Sequence, residues 1–353
     1  MIAATSSPSQ PQPLALPSWQ QVLAQAITDP RELLAAVGLS DEDLPQALQA
    51  AQSFALRVPR GFVRRMRYGD ANDPLLRQVL PLAAENLLRE GFDLDPVGDL
   101  GSLIASGVLH KYHGRALVIA TGACAVHCRY CFRRHFPYAE ELASSDGWRA
   151  ALDALRGDAS ISEVILSGGD PLSLNDRRLT QFTDALRRIP HIRRLRVHTR
   201  QPIVLPERVD AGLLQWLSDC SLQKVMVLHA NHAQEIDADV RRACRALANT
   251  GTVLLNQTVL LAGVNDSIEA LVDLSEALFD AGVMPYYLHM LDRVQGAAHF
   301  EVAENRARQL VSAVNARLPG YLVPKLVREV SGASAKTPID GFANAAVITG
   351  NRS

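Results

Sequence analysis

The sequence has few cysteines, no long apolar run and no excess of charge, and each absence excludes a class of protein. There are five cysteines in 353 residues, and three of them lie in one short segment. This is not a disulfide framework, and it predicts a reducing cytoplasm. No run of about 18 apolar residues occurs, so no membrane span is expected. The first residues also lack the charged and apolar stretches of a signal peptide.

The charge balance excludes a further set of partners. The formal net charge is -1, so no overall basic field would attract nucleic acid or an anionic membrane surface. We therefore expect neither as a partner. What the chain does contain is 48% hydrophobic residues, enough at this length to bury the core of one large α/β domain with appendages.

The N-terminal part divides into two regions. Residues 1–16 are rich in Ser, Pro and Gln, which predicts a flexible tail. In residues 17–114 apolar side chains recur at helical spacing, as in Leu23, Ala26 and Ile27, which predicts a helical N-terminal region.

Beyond residue 114 the pattern changes to strands that alternate with helices. Six short β-rich runs lie at 116–121, 163–167, 195–199, 224–228, 252–260 and 284–288, and amphipathic segments separate them. A strand about every 30 residues is typical of βαβ units and a parallel sheet. Six units are too few for a closed eight-stranded barrel, so we predict a partial (β/α)6 barrel over residues 115–292, followed by a C-terminal segment 293–353. In such barrels the chemistry lies at the carboxyl ends of the strands.

Three cysteines follow the first of these strands at CxxxCxxC spacing. Thiolates of Cys124, Cys128 and Cys131 can hold three corners of a 4Fe-4S cluster and leave the fourth open. A zinc site with His127 as fourth ligand, or reduced structural thiols, are the alternatives. The loop resembles that of the radical S-adenosylmethionine superfamily, in which S-adenosylmethionine occupies the fourth corner.

Polar residues also follow the later strands. After the second strand, Gly168 and Gly169 would let the backbone approach a ligand, and Asp170 can accept from an ammonium group. With Ser167 this stretch resembles the superfamily motif that receives the amino group of S-adenosylmethionine. His229 and Gln257, after the fourth strand and on the fifth, are further pocket candidates.

Lys336 lies in a loop of small residues near the C-terminus. Such a lysine can carry pyridoxal 5'-phosphate on its amine. Most lysines in such loops are merely solvated, however, so the pattern alone is a weak indication.

A family resemblance assigns a role to this lysine. From about Trp19 to Asp340 the chain resembles the lysine 2,3-aminomutases. The shared motifs are Cys-Arg-Tyr-Cys-Phe-Arg-Arg (128–134), Ser-Gly-Gly-Asp-Pro-Leu (167–172), His-Thr-Arg-Gln-Pro (198–202), Leu-Asn-Gln-Thr-Val-Leu-Leu (255–261), Pro-Tyr-Tyr-Leu-His (285–289) and Lys-Thr-Pro (336–338). Within the family, residues 54–60, 109–113, 131–138, 280–289 and 320–326 are most similar to the branch that supplies β-lysine for modifying elongation factor P.

The resemblance implies an isomerase that moves the α-amine of L-lysine to C3, with three cofactors: a 4Fe-4S cluster, S-adenosylmethionine and pyridoxal 5'-phosphate. Arg133 would bind the substrate carboxylate, and Asp292 and Glu329 its distant ammonium. The residues implied for pyridoxal phosphate are Lys336, Lys111, Tyr112, Arg115 and His289, and the strand-end residues His229 and Gln257 are the other cofactor candidates.

The implied partners are L-lysine, an external electron donor such as flavodoxin or ferredoxin, and, through the product, elongation factor P and its lysyl ligase. The resemblance leaves open whether the chain forms a homo-oligomer.

Three features depart from the free-lysine enzymes of the family. Glu329 stands where they generally have Asp, His289 where they have Tyr, and the chain ends at Ser353 without their cysteine-bearing extension. The alternatives are a radical enzyme without pyridoxal phosphate, an iron-sulfur electron carrier and a zinc-stabilised binding module. A mutase for an acidic amino acid is disfavoured, because the two carboxylates would repel its side chain.

Overall fold

The computed structural model describes residues 18–40, 42, 44–144 and 148–340. The predicted tail, residues 1–16, lies outside this range, and so do the last thirteen residues of the C-terminal segment, 341–353. Within the described part, no helix is both long and apolar enough to cross a membrane.

The fold is built on one ten-stranded sheet whose strands lie in chain order. The strands are β1 Leu103–Ala105, β2 Val108–Tyr112, β3 Arg115–Thr121, β4 Glu163–Gly168, β5 Arg194–Thr199, β6 Gln223–Leu228, β7 Val253–Val259, β8 Met284–His289, β9 Lys325–Arg328 and β10 Thr337–Pro338. Strands β3 to β9 pair in parallel, while β1, β2 and β10 pair antiparallel at the two ends. All six predicted parallel strands are present, as β3 to β8, and the α/β class is confirmed.

Two predictions about the sheet are wrong. The sheet is larger than six strands, because β9 adds a seventh parallel strand. The stretch 103–112, assigned to the helical region, forms β1 and β2 instead. Gly107, at φ +66°, turns the chain between these strands, and β2 pairs with the edge of β3, with Leu109 opposite Leu117. The apolar spacing of this stretch suits either structure, and pairing with an exposed strand edge decides between them.

The helices that precede the first strand are short, and the later helices lie between the parallel strands and connect them. They are α1 Trp19–Ala24, α2 Pro30–Ala36, α3 Leu44–Ser53, α4 Arg60–Val63, α5 Pro74–Arg77, α6 Arg149–Gly157, α7 Asp176–Leu186, α8 Gln201–Val204, α9 Ala211–Asp219, α10 Ala238–Asn249, α11 Ile268–Asp280 and α12 Glu304–Asn315. Side-chain caps begin the connecting helices at Asn175, Asp210, Asp237 and Ser267. The predicted helical connections are thus confirmed, with the short α8 as an unpredicted addition.

The sheet is strongly curled, and one ion pair shows this directly. Lys111 on β2 lies with its Nζ 3.5 Å from a carboxylate oxygen of Glu329, which follows β9. In a flat sheet these strands would lie about 34 Å apart, at about 4.8 Å per strand. The curl therefore brings both ends of the sheet to one cavity.

The N-terminal helices close the cavity from the side of the cysteine loop. Ala125 and Val126 of this loop share a buried apolar cluster with Trp19, Phe62 and Leu75. The N-terminal region therefore supports the loop, and its burial excludes water from that side.

Candidate functional site

One cavity of about 360 Å³ lies at the carboxyl ends of the parallel strands. Seventeen site residues named from the sequence line it. They are Lys111, Tyr112, Arg115, Cys124, Cys128, Cys131, Arg133, Ser167, Gly168, Gly169, Asp170, His229, Gln257, His289, Asp292, Glu329 and Lys336. Their location in one cavity is thereby established, whereas their individual roles stay predictions.

The cysteine loop is a compact turn held by the N-terminal region. The amide of Cys131 donates to the carbonyl of Cys128 at 3.0 Å, and the amide of Arg129 donates to the carbonyl of Gln78 at 2.9 Å. All three thiols are free. Burial, then the neighbouring Asp170 and cysteines, raises the pKa of Cys124 well above its usual value. Such closely placed thiols suit a cationic iron-sulfur core, which compensates the charge of the thiolates.

The geometry disfavours the zinc alternative. Within the described ranges, no three His, Cys, Asp or Glu side chains are arranged to hold a single metal ion. His127, the candidate fourth zinc ligand, has its Nδ1 2.8 Å from the carbonyl of Ala55, and its ring packs on Phe54. A structural zinc site needs four protein ligands, and His127 is turned to a backbone carbonyl instead.

Glu85 is a buried structural residue of the site that sequence reasoning missed. Its carboxylate pairs with Arg129 at 2.5 Å and with Arg134 at 2.9 Å. These two arginines are therefore neutralised in the folded protein, and Arg133 is left to face the cavity. The only sequence sign was an acidic residue in an otherwise apolar stretch, which is not distinctive.

The glycine pair is required by the backbone packed against it. A Cβ on Gly169 would lie 2.6 Å from the carbonyl oxygen of Ala123, and a Cβ on Gly168, at φ +112°, 2.8 Å from that of Thr121. The close approach is thus to the backbone of the cysteine segment. Close approach of these two glycines to a ligand stays a prediction.

Asp170 is likewise occupied within the protein. Its carboxylate accepts from the hydroxyl of Thr199 at 2.7 Å and from the amides of Leu172, Arg200 and Gln201 at 3.0, 2.7 and 3.0 Å. It ties the end of β4 to the end of β5. Binding of an ammonium group by this side chain stays a prediction.

Arg133 is oriented by Asp99, a residue that the sequence did not indicate. Asp99, only 2% exposed, accepts from Nε of Arg133 at 2.6 Å and from Nζ of Lys111 at 2.6 Å. Burial opposes ionisation of Asp99, yet Arg133 and Lys111 hold its pKa below the usual value. One Nη of Arg133 also donates to Ser167 at 3.0 Å. Asp99 thus presents the guanidinium to the cavity.

Lys336 and Glu329 lie against each other in the cavity. Nζ of Lys336 is 2.5 Å from a carboxylate oxygen of Glu329 and 6.0 Å from the ring centre of Tyr287. Burial opposes ionisation of Glu329, but Lys336 and Lys111 lower its pKa. In this state the amine of Lys336 itself occupies one of the carboxylates assigned to a substrate ammonium.

Asp292 is the other carboxylate of this wall, and it has no ion-pair partner within the described residues. Enclosure in the cavity, together with Glu329, raises its pKa to about 7. A positively charged group entering the cavity would restore its ionised form.

The cavity also contains an unpaired cation and neutral imidazoles. Arg115 stacks on Tyr112 at 4.9 Å and forms no ion pair with a described carboxylate, so its charge is available to a phosphate group. The Nε2 atoms of His198 and His289 are buried without a partner, and burial lowers the pKa of both imidazoles well below the usual value. Two neutral imidazoles with unused nitrogens fit a bound polar cofactor.

His229 is already engaged within the protein. Its Nε2 lies 3.0 Å from the hydroxyl of Tyr130, and the two rings stack. Burial lowers its pKa to about 3, so the imidazole is neutral. It forms part of the cavity wall.

Comparison with known proteins places the chain in a family. It is 49% identical over 323 residues to the L-lysine 2,3-aminomutase of Escherichia coli (strain K12), covering 91% of this chain and 94% of that protein. The enzyme of the same name from Haemophilus influenzae is 44% identical, with 91% and 95% covered. That of Clostridium subterminale is 31% identical, with 91% and 77% covered.

Two other comparisons identify neither a family nor a function. No protein-family model matches the chain. A crystal structure of a radical SAM methyltransferase from Sphaerobacter thermophilus superposes with a TM-score of 0.45 at 18% identity, covering 64% of this chain and 71% of that one, which is too distant for an argument. With its seventeen predicted residues in one cavity and close relatives covered almost end to end, the chain belongs to the lysine 2,3-aminomutase family.

Proposed function

We propose that this protein is an isomerase that converts L-α-lysine to β-lysine by moving the amine from C2 to C3. It would do so with a 4Fe-4S cluster, S-adenosylmethionine and pyridoxal 5'-phosphate, in a partial barrel formed by the parallel strands β3 to β9. The observation that carries the proposal is the shared cavity. It joins the three cysteines to Lys336, about 200 residues later in the chain, and to carboxylates and an arginine of complementary charge.

The cofactors are needed because the hydrogen on C3 of lysine is not acidic, so acid-base catalysis cannot remove it. When bound, the cluster and S-adenosylmethionine supply a carbon radical that abstracts this hydrogen, and pyridoxal phosphate supplies the π-system through which nitrogen migrates. The protein contributes binding, orientation and exclusion of water.

The charges of the cavity match those of lysine. Arg133, held by Asp99 at 2.6 Å, presents a planar guanidinium suited to a carboxylate. Asp292 and Glu329 offer negative charge for the distant ammonium. If the amine of Lys336 held pyridoxal phosphate, it would no longer pair with Glu329, which could then accept the ammonium of the substrate. This is why the present ion pair of Lys336 supports the assignment of Glu329.

We further propose that the product serves modification of elongation factor P, through its lysyl ligase, in the cytoplasm. The support is the resemblance in residues 54–60, 109–113, 131–138, 280–289 and 320–326. An electron donor such as flavodoxin or ferredoxin would reduce the cluster. Adding the reaction mixture to elongation factor P and the ligase should give more modified protein than L-lysine alone.

The decisive experiment is direct. Protein reconstituted anaerobically with iron, sulfide and pyridoxal phosphate should convert L-lysine to β-lysine when S-adenosylmethionine and a reductant are present. Turnover without pyridoxal phosphate would favour the radical enzyme that uses none. Absence of β-lysine, with both cofactors bound and S-adenosylmethionine cleaved, would contradict the proposed reaction.

Asp292→Asn is expected to weaken use of lysine selectively. An ammonium enclosed with one charged partner missing loses about 2 to 4 kcal/mol. This corresponds to roughly 30- to 1,000-fold in kcat/KM at about 1.4 kcal/mol per factor of ten. An analogue without the ε-amine, tested as substrate or competitive inhibitor, should lose far less. Glu301→Gln, which removes a surface carboxylate paired with Arg293, is the matched control. Equal losses for lysine and the analogue would show that Asp292 supports the fold or a cofactor.

Lysine binding is expected to strengthen as pH rises through about 7. The pKa of Asp292 is raised to about 7 by burial and Glu329, with a smaller contribution from Asp99, while Lys336 and Lys111 lower it. Below that pH the carboxyl is protonated and offers no charge, so affinity should fall about tenfold per pH unit. Equilibrium dialysis of lysine from pH 5.5 to 8.5 measures this. A pH-independent affinity, or the same slope in Asp292→Asn, would contradict the assignment.

A further inference from the structure

Arg200 lies against the cysteine loop without being part of it. This side chain follows β5 and is 6% exposed. Its Nη1 is 2.8 Å from the sulfur of Cys128 and 2.5 Å from the hydroxyl of Tyr130. Among the described residues, Arg200 is the one arginine with a hydrogen bond to a thiol of the loop. The contact is directed at one of three otherwise similar cysteines.

The other side of the guanidinium is fixed by a buried counter-charge. Nη2 of Arg200 donates to Glu235 at 2.9 Å and to the side chain of Gln78 at 2.6 Å. Glu235 is fully buried, and its second oxygen accepts from the amide of Asn231 at 2.9 Å. The guanidinium is therefore held rigidly between one sulfur and one carboxylate.

The network also joins distant parts of the chain. Gln78 belongs to the N-terminal region, Arg200 follows β5, and Glu235 follows β6. Asn231 donates to both Gln78 and Tyr130, at 2.9 and 2.7 Å. Burying a charged arginine together with a glutamate is costly. Packing alone therefore does not explain why this arginine is directed at a sulfur.

A positive hydrogen-bond donor at a cluster sulfur changes the electron affinity of the cluster. The reduced form carries one more negative charge, so a cation and a hydrogen bond stabilise it relative to the oxidised form. A nearby carboxylate acts in the opposite sense. Low local dielectric strengthens both effects.

We infer that Arg200 and Glu235 are a positioning pair that sets the reduction potential of the cluster through the sulfur of Cys128. The inference rests on the proposed function, because it requires a cluster on the three cysteines. Arg200 favours the reduced cluster and Glu235 opposes it. Gln78 connects the pair to the N-terminal region.

The test is a redox titration of reconstituted protein without S-adenosylmethionine or lysine, followed by the electron paramagnetic resonance signal of the reduced cluster. Arg200→Gln should lower the ratio of reduced to oxidised cluster about tenfold at fixed ambient potential, or about 59 mV for a one-electron couple. Glu235→Gln should shift the ratio in the opposite direction. The double variant should lie between the two. Damage to the fold alone would not produce shifts of opposite sign.

Two controls separate the possible outcomes. Arg208→Gln removes an equally buried arginine, paired with Asp176 at 2.7 Å, and should leave the potential unchanged. If Arg200→Gln fails to fold, Glu235→Gln and Arg200→Lys still test the inference, and the lysine variant should shift less than the glutamine variant.

The inference would be overturned if the potential stayed constant in all variants with normal iron content. It would also be overturned if Arg200→Gln weakened binding of S-adenosylmethionine while leaving the S-adenosylmethionine-free potential unchanged, because the arginine would then be a ligand contact. A wild-type protein that bound no iron would instead refute the proposed function.

Discussion

Alanine in place of any one of Cys124, Cys128 and Cys131 is expected to abolish reductive cleavage of S-adenosylmethionine. The three thiols are free, line one cavity and leave no fourth cysteine beside them among the described residues. Losing one ligand leaves two protein corners, which cannot hold a four-iron cube in a defined orientation. Iron content, cluster absorbance and formation of 5'-deoxyadenosine measure the effect.

Cys244→Ala is the matched control for this series. Cys244 is buried and free in helix α10, outside the cavity lining, so its loss should cost about 1 kcal/mol of stability and leave cluster and cleavage intact. If the triple alanine variant kept about four irons per chain with an unchanged cluster spectrum, the cysteine assignment would have to be abandoned.

Lys336→Ala is expected to remove pyridoxal phosphate absorbance and all aminomutase turnover while leaving the cluster in place. The two cofactors are assigned to separate segments, since Lys336 follows β9 and the cysteines follow β3. Absorbance of the lysine-bound cofactor, iron content and β-lysine formation are the three measurements. Loss of all three together would indicate a damaged fold.

A second substitution at this position separates covalent from electrostatic action. Lys336 forms an ion pair with Glu329 at 2.5 Å, and Lys336→Arg keeps that charge while removing a nucleophilic amine. The arginine variant should therefore be as inactive as the alanine variant. Lys325→Ala changes an exposed lysine of the neighbouring strand β9 and should retain activity. Turnover by Lys336→Arg without any added amine would contradict a covalent role.

The strands, the cysteine loop and the polar residues at strand ends were predictable because their signals are local. The six parallel strands repeat at about 30 residues, and the cysteine spacing is contained within eight residues. Since parallel strands place their carboxyl ends together, polar residues at successive strand ends were expected to meet. The significance of Lys336 came from resemblance, because a lysine in a small-residue loop carries little information by itself.

Most of the misses depend on partners far apart in sequence. Asp99 and Glu85 are ordinary acidic residues until the fold places arginines beside them at 2.6 and 2.5 Å. The stretch 103–112 is different, because β2 pairs with the next strand, β3, across a short turn. The need for Gly169 comes from the backbone at Ala123, forty-six residues earlier.

By itself the sequence determined the α/β class, the six parallel strands and the cysteine loop, and with the family resemblance it gave seventeen of the residues that line the cavity. Only the tertiary structure decided how the charges pair. The curl of the sheet brings Glu329 to Lys111, and burial forces each charged group to find a partner or to shift its pKa. Asp170 accepts four hydrogen bonds from within the protein, Asp292 has no ion-pair partner among the described residues, and Arg200 is directed at Cys128. Such outcomes depend on distances of a few ångströms across the fold, which no spacing along the chain encodes.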